Sequence, residues 1–253
     1  MTVRKRRRLS TSAAMYIPVS VLLIAFFTIL GTSVFTKIIE IEVIGATIYS
    51  EEEIISASGI TAGDNMININ KGAVSLRIFS EKPFVKEVKI TRHPPSTLVI
   101  NVTESTAIAF IAYQDKMLIV DTECKILSIT DSAPEGLVEI IGLSFTEPEE
   151  GSYIKPDKGS DIQLKCTKAV LEDIEKVGFV RDISYINVEN NSKIRFEYVG
   201  KFKVVLGGPA DARYKLSQLP GYVEVIMNAQ PKNAQGEIDM SDPSGKWSYY
   251  PNK

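Results

Sequence analysis

The chain has 253 residues, a formal net charge of −2, two cysteines and one histidine. This length allows a leading segment and two modest domains. One histidine and two cysteines that lie far apart supply no Cys/His ligand pattern for zinc, so no metal site is predicted.

The most distinctive stretch is Ala13–Phe35, which contains no charged residue in 23 positions. As a helix it would be about 35 Å long, enough to cross a hydrocarbon core of about 30 Å. A buried helix of a soluble protein is the alternative, but such helices seldom run this long without a polar face. We predict a transmembrane helix over residues 13–36.

The flanking charges predict the orientation of this helix. Basic residues are concentrated before the span, so the tail 1–12 is expected in the cytoplasm and the remainder outside it. Without the five positive charges of the tail, the remainder carries a net charge of −7, which argues against a nucleic-acid partner. A cleaved signal peptide is the alternative, but the apolar run is longer than a signal core and lacks a clear cleavage site. The orienting residues are Arg4, Lys5, Arg6, Arg7 and Arg8.

A small domain is predicted over residues 37–105, beginning with a strand. Residues 38–45 alternate Ile39, Ile41 and Val43 with two glutamates, which is the period of a half-buried strand. Two further strands are expected at 84–92 and 97–103, separated by a Pro94-Pro95 turn.

Two short helices are predicted between the first and second strands. Ser50 and Glu53 form a capping box for the first helix, and Gly59 can end it in a left-handed conformation. Asn70 can cap the second, which ends before Pro83. The order of elements in this domain is therefore β-α-α-β-β. Helices this short must pack on the three-stranded sheet to be stable. The apolar positions expected in the second helix are Val74, Leu76 and Phe79.

The second domain, 106–241, is predicted to be mainly antiparallel β-sheet with flanking helices, which makes the fold class α+β. One helix is expected after a capping box at Ser160 and Gln163, with Ile162 and Cys166 on its inner face. A shorter helix, 211–219, is expected to stop at Pro220. The predicted strands are 107–113, 117–121, 125–129, 137–141, 183–188, 193–199, 202–206, 222–227 and 236–241.

The remaining chemistry of the exported part is sparse. Cys124 and Cys166 form either one disulfide or two separate buried thiols, and their spacing does not decide between them. The single histidine, His93, is expected in solvent beside a turn. There is no phosphate-binding loop, nucleophile elbow or identifiable acid–base pair. We therefore predict no catalytic residue, no cofactor and no small-molecule substrate.

Several strings accompany the basic tail, the single span and the β-α-α-β-β unit. In the first domain they are Val43-Ile44-Gly45, Ser50-Glu51-Glu52-Glu53, Gly59-Ile60-x-x-Gly63, Pro83-Phe84-Val85, Val88-x-Ile90-x-Arg92-x-Pro94 and Ser96-Thr97-Leu98-x-Ile100-x-Val102-x-Glu104. In the second they are Lys215-Leu216 and Gly236-Glu237-Ile238-Asp239-Met240. In this order they resemble the DivIB/FtsQ family of bacterial cell-division proteins, whose membrane-proximal domain is a POTRA domain. Departures from the family pattern are Ser105, Cys124 (where a turn glycine is usual) and Ser241.

The resemblance implies a non-enzymatic scaffold at the division septum of the bacterial cell membrane. Its implied partners are DivIC/FtsB-like and FtsL-like membrane proteins, and through them the septal peptidoglycan synthase machinery, besides the lipid bilayer itself. One alternative is a POTRA-containing transport or secretion component, but such proteins usually carry several repeats and a membrane barrel. A membrane-anchored wall enzyme is the other, and it would need a catalytic group that the sequence does not show.

A late strand of an open sheet exposes unpaired backbone groups, to which a partner segment can add as a further strand. We predict that strand 236–241 is this edge, with 222–227 beside it and an aromatic tail, 242–253, supplying anchors. The alternative is that Ile238 and Met240 are ordinary core residues. The candidate partner-binding residues are Gly236, Glu237, Ile238, Asp239, Met240, Ser241, Tyr222, Val223, Val225, Trp247, Tyr249 and Tyr250.

Overall fold

The computed structural model describes residues 16, 18–26, 36–229, 234–242 and 244–252. Residues 18–26 are helical. The basic tail, with Arg4–Arg8, and the rest of the predicted span, including 27–35, lie outside the described residues. Within the described ranges, no helix combines the length and the apolar character that a membrane crossing requires.

The chain divides into two compact units. The described part of the first covers 16, 18–26, 36–78 and 87–103, and the second comprises 79–86 and everything described from 104 onward. The β-α-α-β-β order predicted for the first domain is present in the structure. Its sheet has the order β1-β3-β2, with β1 parallel to β3. The elements are β1 (Glu40–Ile44), α1 (Glu51–Ser58), a 3₁₀ turn (Met66–Asn68), α2 (Lys71–Glu81), β2 (Val85–His93) and β3 (Thr97–Glu104).

The predicted helix caps of this unit are confirmed. The Ser50 hydroxyl accepts the Glu53 N–H at 3.2 Å, while the Glu53 carboxylate accepts the Ser50 N–H at 2.9 Å. Gly59 ends α1 with φ +64°. The Asn70 side chain accepts the Ala73 N–H at 3.2 Å at the start of α2. Local sequence therefore determines where these helices begin and end.

Two predicted core positions of this unit are wrong. Ile39 is 76% exposed, and Ile38 is buried in its place. The Ile38 N–H donates to the Asp64 carbonyl and the Ile38 carbonyl accepts the Gly63 N–H, so Ile38 pairs with this segment before β1 begins. In α2, Leu76 is 69% exposed, and the inner positions are Val74 and Ile78.

The second unit is built on a nine-stranded sheet with the order β12-β11-β10-β9-β8-β7-β4-β5-β6. The sheet is mixed: the pairs β4–β7, β7–β8 and β10–β11 are parallel, and the other neighbours are antiparallel. The strands are β4 (Ala109–Tyr113), β5 (Lys116–Val120), β6 (Ile126–Thr130), β7 (Val138–Ile141), β8 (Ile183–Asn187), β9 (Ile194–Tyr198), β10 (Phe202–Gly207), β11 (Gly236–Asp239) and β12 (Ser248–Pro251).

Two helices, α3 (Asp161–Val177) and α4 (Ala212–Ala229), contribute apolar residues to the same core as the strands. Fully buried side chains of this core include Leu171 of α3 and Phe196 and Phe202 of the sheet. On the outside, the Arg213 guanidinium meets the Asp173 carboxylate at 3.0 Å and links the two helices.

The structure of helix α4 corrects two predictions. The helix does not stop at Pro220 but continues to Ala229, so the predicted strand 222–227 is helical. The buried residues Leu216, Leu219, Val223 and Ile226 follow helical spacing across the proline, which itself lies on the exposed face. A proline inside a helix costs about 3 kcal/mol, whereas each large apolar side chain buried contributes about 1.5–3 kcal/mol. The continuous apolar face therefore outweighs the break.

The capping box predicted for α3 is also wrong. The Ser160 side chain makes no capping hydrogen bond. The Gln163 amide instead donates to the carbonyls of Gly142 and Val188, the latter at 3.0 Å, and so ties the helix to two strand ends. Ile162 is 66% exposed, contrary to expectation, while Cys166 is buried. Both cysteines are free thiols.

Candidate partner-binding edge

The predicted edge strand is an interior strand. β11 pairs with β10 in parallel on one side and with β12 antiparallel on the other. Ile238 and Met240 are fully buried, as in the alternative interpretation of this segment. Residues Gly236–Asp239 therefore have both backbone edges occupied, which contradicts the prediction that a partner strand pairs with them directly.

The edge position belongs to β12, which lies within the segment predicted as a polar tail. Its register pairs Tyr250 with Glu237 and Tyr249 with Ile238. The Tyr249 ring packs edge-on against Phe202 at 6.3 Å, and its hydroxyl donates to the Gln235 carbonyl at 2.9 Å. Tyr250 points the other way and is 56% exposed. Of these two predicted anchors, only Tyr250 presents most of its surface to solvent.

The third aromatic anchor, Trp247, is held by the fold. The Tyr222 hydroxyl donates to the Trp247 carbonyl at 3.2 Å, and the two rings meet edge-to-face at 5.6 Å. Of the predicted neighbours, Val223 is buried in the core and Val225 is 65% exposed on α4. The structure thus brings Tyr222 and Trp247 together and separates Val225 from the strand edge.

The backbone N–H and carbonyl groups of β12 point in defined directions. The Asn252 N–H donates to the Gln235 carbonyl at 3.0 Å, so it points toward β11. Because successive residues of a strand alternate, the Tyr250 N–H also points inward and the Tyr249 N–H points outward. Pro251 has no N–H to offer. The outer side of β12 therefore presents one donor, at Tyr249, and the carbonyls of Tyr249 and Pro251.

The end of β11 is closed by a local turn. The Asp239 carboxylate accepts both the Ser241 N–H at 2.8 Å and the Ser241 hydroxyl at 2.6 Å. The hydroxyl bond to the ionised carboxylate lowers the pKa of Asp239. Ser241 thus closes the end of the strand with its own N–H and hydroxyl groups.

The opposite edge of the sheet, β6, is covered by its own chain. The Ile126 N–H donates to Ser152 at 2.9 Å, and the Gly151 N–H returns a bond to Ile126 at 2.8 Å. Farther along, the Glu150 carboxylate accepts the Ile129 N–H at 3.3 Å. Such covering prevents unwanted strand addition. Among the residues that the structure describes, no comparable segment covers the outer side of β12.

The part of the chain that the structure describes contains no cluster of three or more His, Cys, Asp or Glu side chains arranged for a metal ion.

Comparison with known proteins decides the family. The model of the FtsQ-type POTRA domain matches residues 36–105, which contain β1 to β3. The cell division protein FtsQ of Corynebacterium glutamicum is 30% identical to this chain over 189 residues, which cover 70% of this chain and 84% of that protein. The chain belongs to the FtsQ/DivIB family of cell-division proteins. It therefore has a role in bacterial cell division.

Other FtsQ/DivIB relatives support this assignment over longer stretches. FtsQ of Streptomyces venezuelae is 23% identical over 96% of this chain and 86% of its own length. DivIB of Clostridium acetobutylicum is 24% identical over 79% of this chain and 78% of its own length. The similarity thus extends beyond the POTRA domain into the unit that carries β12.

Sequence reasoning missed β12 because it treated 242–253 as a tail. A local signal was present: Trp247, Tyr249 and Tyr250 are residue types that favour strands, and Gly245 and Pro251 flank them as turn residues do. The segment is short, however, and β11, with which it pairs, is itself positioned by parallel pairing with β10.

Proposed function

We propose that this FtsQ/DivIB-family protein is a non-enzymatic scaffold that binds DivIC/FtsB-like and FtsL-like partners outside the cytoplasm. Through them it influences septal peptidoglycan synthesis. In this proposal residues 1–12 form the cytoplasmic tail and 13–36 the transmembrane helix. Residues 37–105 form the POTRA domain, and the β domain, 106–241, is completed by β12 from segment 242–253.

The observation that carries the proposal is the contrast between the two edges of the large sheet. β6 has its outward backbone groups bonded to residues 150–152, whereas β12 offers the Tyr249 N–H and two carbonyls. Backbone groups of this kind bind an extended segment by strand addition, in which main-chain hydrogen bonds supply affinity. The partner would thus extend the sheet as a tenth strand.

Side chains beside this edge would supply specificity. Tyr250 is 56% exposed, and tyrosine is enriched among the residues that dominate binding energy at interfaces. Glu237, opposite Tyr250 on β11, is also exposed and adds a negative charge. A partner strand with an apolar or cationic side chain facing Tyr250 would fit this surface.

The proposed membrane anchoring is supported by the charge-free run 13–35 and the basic residues before it. Such an anchor would hold the β domain outside the cytoplasm, where it can meet the outer parts of membrane-bound partners. Division septa are the expected location, and fluorescent fusions should form a band at mid-cell. A uniform envelope signal throughout the cell cycle would contradict it.

The edge is tested with the full chain in lipid nanodiscs and the purified outer domains of the two partners. Tyr250→Ala should weaken binding by at least about tenfold, equivalent to about 1.4 kcal/mol. Tyr153→Ala is the matched control, because Tyr153 is similarly exposed at 53% but lies beside β6. Equal affinities for both variants and the unsubstituted protein would contradict the proposal that Tyr250 anchors a partner at the β12 edge.

A further inference from the structure

We propose that one end of the first unit, which we call the basal patch (Lys37, Ile39 and Ile67), rests in the interface of the lipid bilayer. This inference rests on the proposed membrane anchoring and adds a second contact with the membrane. It is independent of partner binding at β12, which belongs to the other unit.

The patch is defined by two large apolar side chains that the fold leaves in solvent. Ile39 is 76% exposed and Ile67 is 56% exposed, although Ile38 and Met66 directly before them are buried. The core is therefore complete without the two isoleucines. Large apolar side chains that the core does not need are candidates for an interaction surface.

Backbone hydrogen bonds gather the patch at one end of the unit. The Met66 N–H donates to the Thr36 carbonyl at 2.8 Å, and the Ile38 N–H donates to Asp64 at 2.9 Å. The Ile39 N–H donates to Ser96 at 2.9 Å, beside the β2–β3 turn. The entry of the chain at Thr36 and the segments that carry the two isoleucines are therefore joined by backbone hydrogen bonds.

Arg92 holds the Ile67 segment in place. Its guanidinium donates to the carbonyls of Met66, Ile67 and Ile69 at 2.8, 3.2 and 2.9 Å. One charged side chain thereby binds three backbone carbonyls in and beside the 3₁₀ turn. The 3₁₀ turn is thus fixed with the Ile67 side chain directed outward.

The position of the basal patch in the chain indicates that the surface it contacts is the lipid bilayer. The apolar run ends at Phe35, four residues before Ile39, so even a fully extended chain allows only about 14 Å between them. If 13–35 spans the bilayer, Ile39 stays within about 14 Å of the end of the span. The bond from Met66 to Thr36 confines Ile67 to the same distance range.

The polar groups around the patch suit a membrane interface. Lys37 and His93 are exposed, and a lysine close to the surface attracts anionic headgroups. Two acids are also nearby. The Asp64 carboxylate accepts the Thr61 N–H at 2.9 Å, and the Glu40 carboxylate accepts the Thr97 hydroxyl at 3.5 Å. The apolar face of an interfacial amphipathic helix lies about 5–10 Å into the boundary between headgroups and acyl chains, and the two isoleucines would insert to a comparable depth.

The same strand provides a matched control position. Ile44 is 46% exposed but lies at the far end of β1, five residues from Ile39 and therefore about 17 Å away. If exposure alone determined contact with lipid, Ile44 would behave like Ile39. The proposal requires that it does not.

The test uses the full chain reconstituted in vesicles of phosphatidylcholine and phosphatidylglycerol. Ile39→Cys, Ile67→Cys and Ile44→Cys are each labelled with a nitroxide, and collision with oxygen and with a water-soluble nickel chelate is measured by electron spin resonance. The unsubstituted protein gives the background, which should be small because Cys124 and Cys166 are buried. The oxygen-to-nickel collision ratio should be several-fold higher at positions 39 and 67 than at position 44.

Three outcomes would overturn the proposal, and they differ. Equal ratios at the three positions, with the chain resistant to alkaline extraction, would refute the patch and leave anchoring intact. Loss of the chain on alkaline extraction would refute anchoring and the patch together. In the third outcome, the oxygen-to-nickel collision ratio at positions 39 and 67 differs from the ratio at position 44 only after the partners' outer domains are added. That result would assign the patch to a protein contact instead.

Discussion

Gly236 lies so close to Tyr250 across the β11–β12 pair that a Cβ at position 236 would stand 2.2 Å from the Tyr250 carbonyl oxygen. A Cβ there would also come within 2.9 Å of the Pro251 Cα and of the Tyr249 ring. No side chain can occupy this position unless β12 moves. The close pairing of the proposed docking strand therefore depends on a glycine in the strand before it.

Gly236→Ala is expected to displace β12 while the core of the unit stays folded. Amide hydrogens of residues 248–252 should exchange faster, and partner affinity should fall by at least about tenfold, equivalent to about 1.4 kcal/mol. Gly221→Ala is the control, because a Cβ there meets nothing within 4 Å and alanine favours a helix by up to about 1 kcal/mol. Unchanged exchange in the Gly236 variant would show that β12 tolerates the extra carbon.

Val199→Asn is expected to stabilise the protein. Val199 has φ +48° and Gly200 has φ +65° in the tight turn between β9 and β10, where Asn-Gly is the favoured pair. A β-branched residue in the left-handed region costs about 1–2 kcal/mol, so the free energy of unfolding should rise by about 1 kcal/mol.

Urea unfolding of the full chain in mild detergent, followed by Trp247 fluorescence, measures the effect of this substitution. Val225→Asn, at an exposed helical site, should change the free energy of unfolding by less than about 0.5 kcal/mol. A Val199 variant less stable than the unsubstituted protein would contradict the assignment of strain.

Asp121→Ala is expected to be strongly destabilising. The buried Asp121 carboxylate accepts the Ser105 hydroxyl at 2.8 Å and the N–H groups of Glu123 and Lys125 at 2.9 Å each. Each donor left unpaired costs about 1–3 kcal/mol, so the loss should be at least about 3 kcal/mol. Asp115→Ala, in the exposed β4–β5 turn, should have an effect below about 0.5 kcal/mol in the same urea experiment. Similar losses for the two variants would argue against this network.

Because its thiol is buried, Cys124 should lower the free energy of unfolding at alkaline pH. Burial raises the pKa of this thiol from 9.0 to about 12. Between these values the unfolded chain releases the proton and the folded chain keeps it, so the contribution is intact below pH 9 and is lost as the pH rises toward 12. The slope approaches about 1.4 kcal/mol per pH unit.

The Cys124→Ala variant tests this slope. Its free energy of unfolding, measured with urea at several pH values from 8 to 11, should fall less steeply than that of the unsubstituted protein. Burial also raises the pKa of Tyr198 and lowers that of Lys125, but both groups titrate in either protein and cancel in the comparison. Parallel curves would show that Cys124 is not the group responsible.

Interactions over three or four residues were readable from the sequence. The capping box of Ser50 and Glu53, the Asn70 cap and the left-handed Gly59 all appear as predicted. The same kind of signal failed at Ser160, because Gln163 finds better partners on two distant strands. It failed at Pro220 because the apolar face of α4 continues past it. In both cases tertiary contacts outweighed a local preference.

By itself the sequence determined the apolar leading run, the β-α-α-β-β unit, most of the strands of the second unit and the resemblance to the division family. The structural elements follow from hydrophobic periodicity and short-range capping, which each segment carries within itself, whereas the family resemblance rests on short residue strings in a fixed order. Only the tertiary structure decided that Gly236–Asp239 is an interior strand and that Ser248–Pro251 is the edge. Strand order depends on which distant segments pair, and a four-residue strand is stabilised mainly by the neighbours it meets after folding.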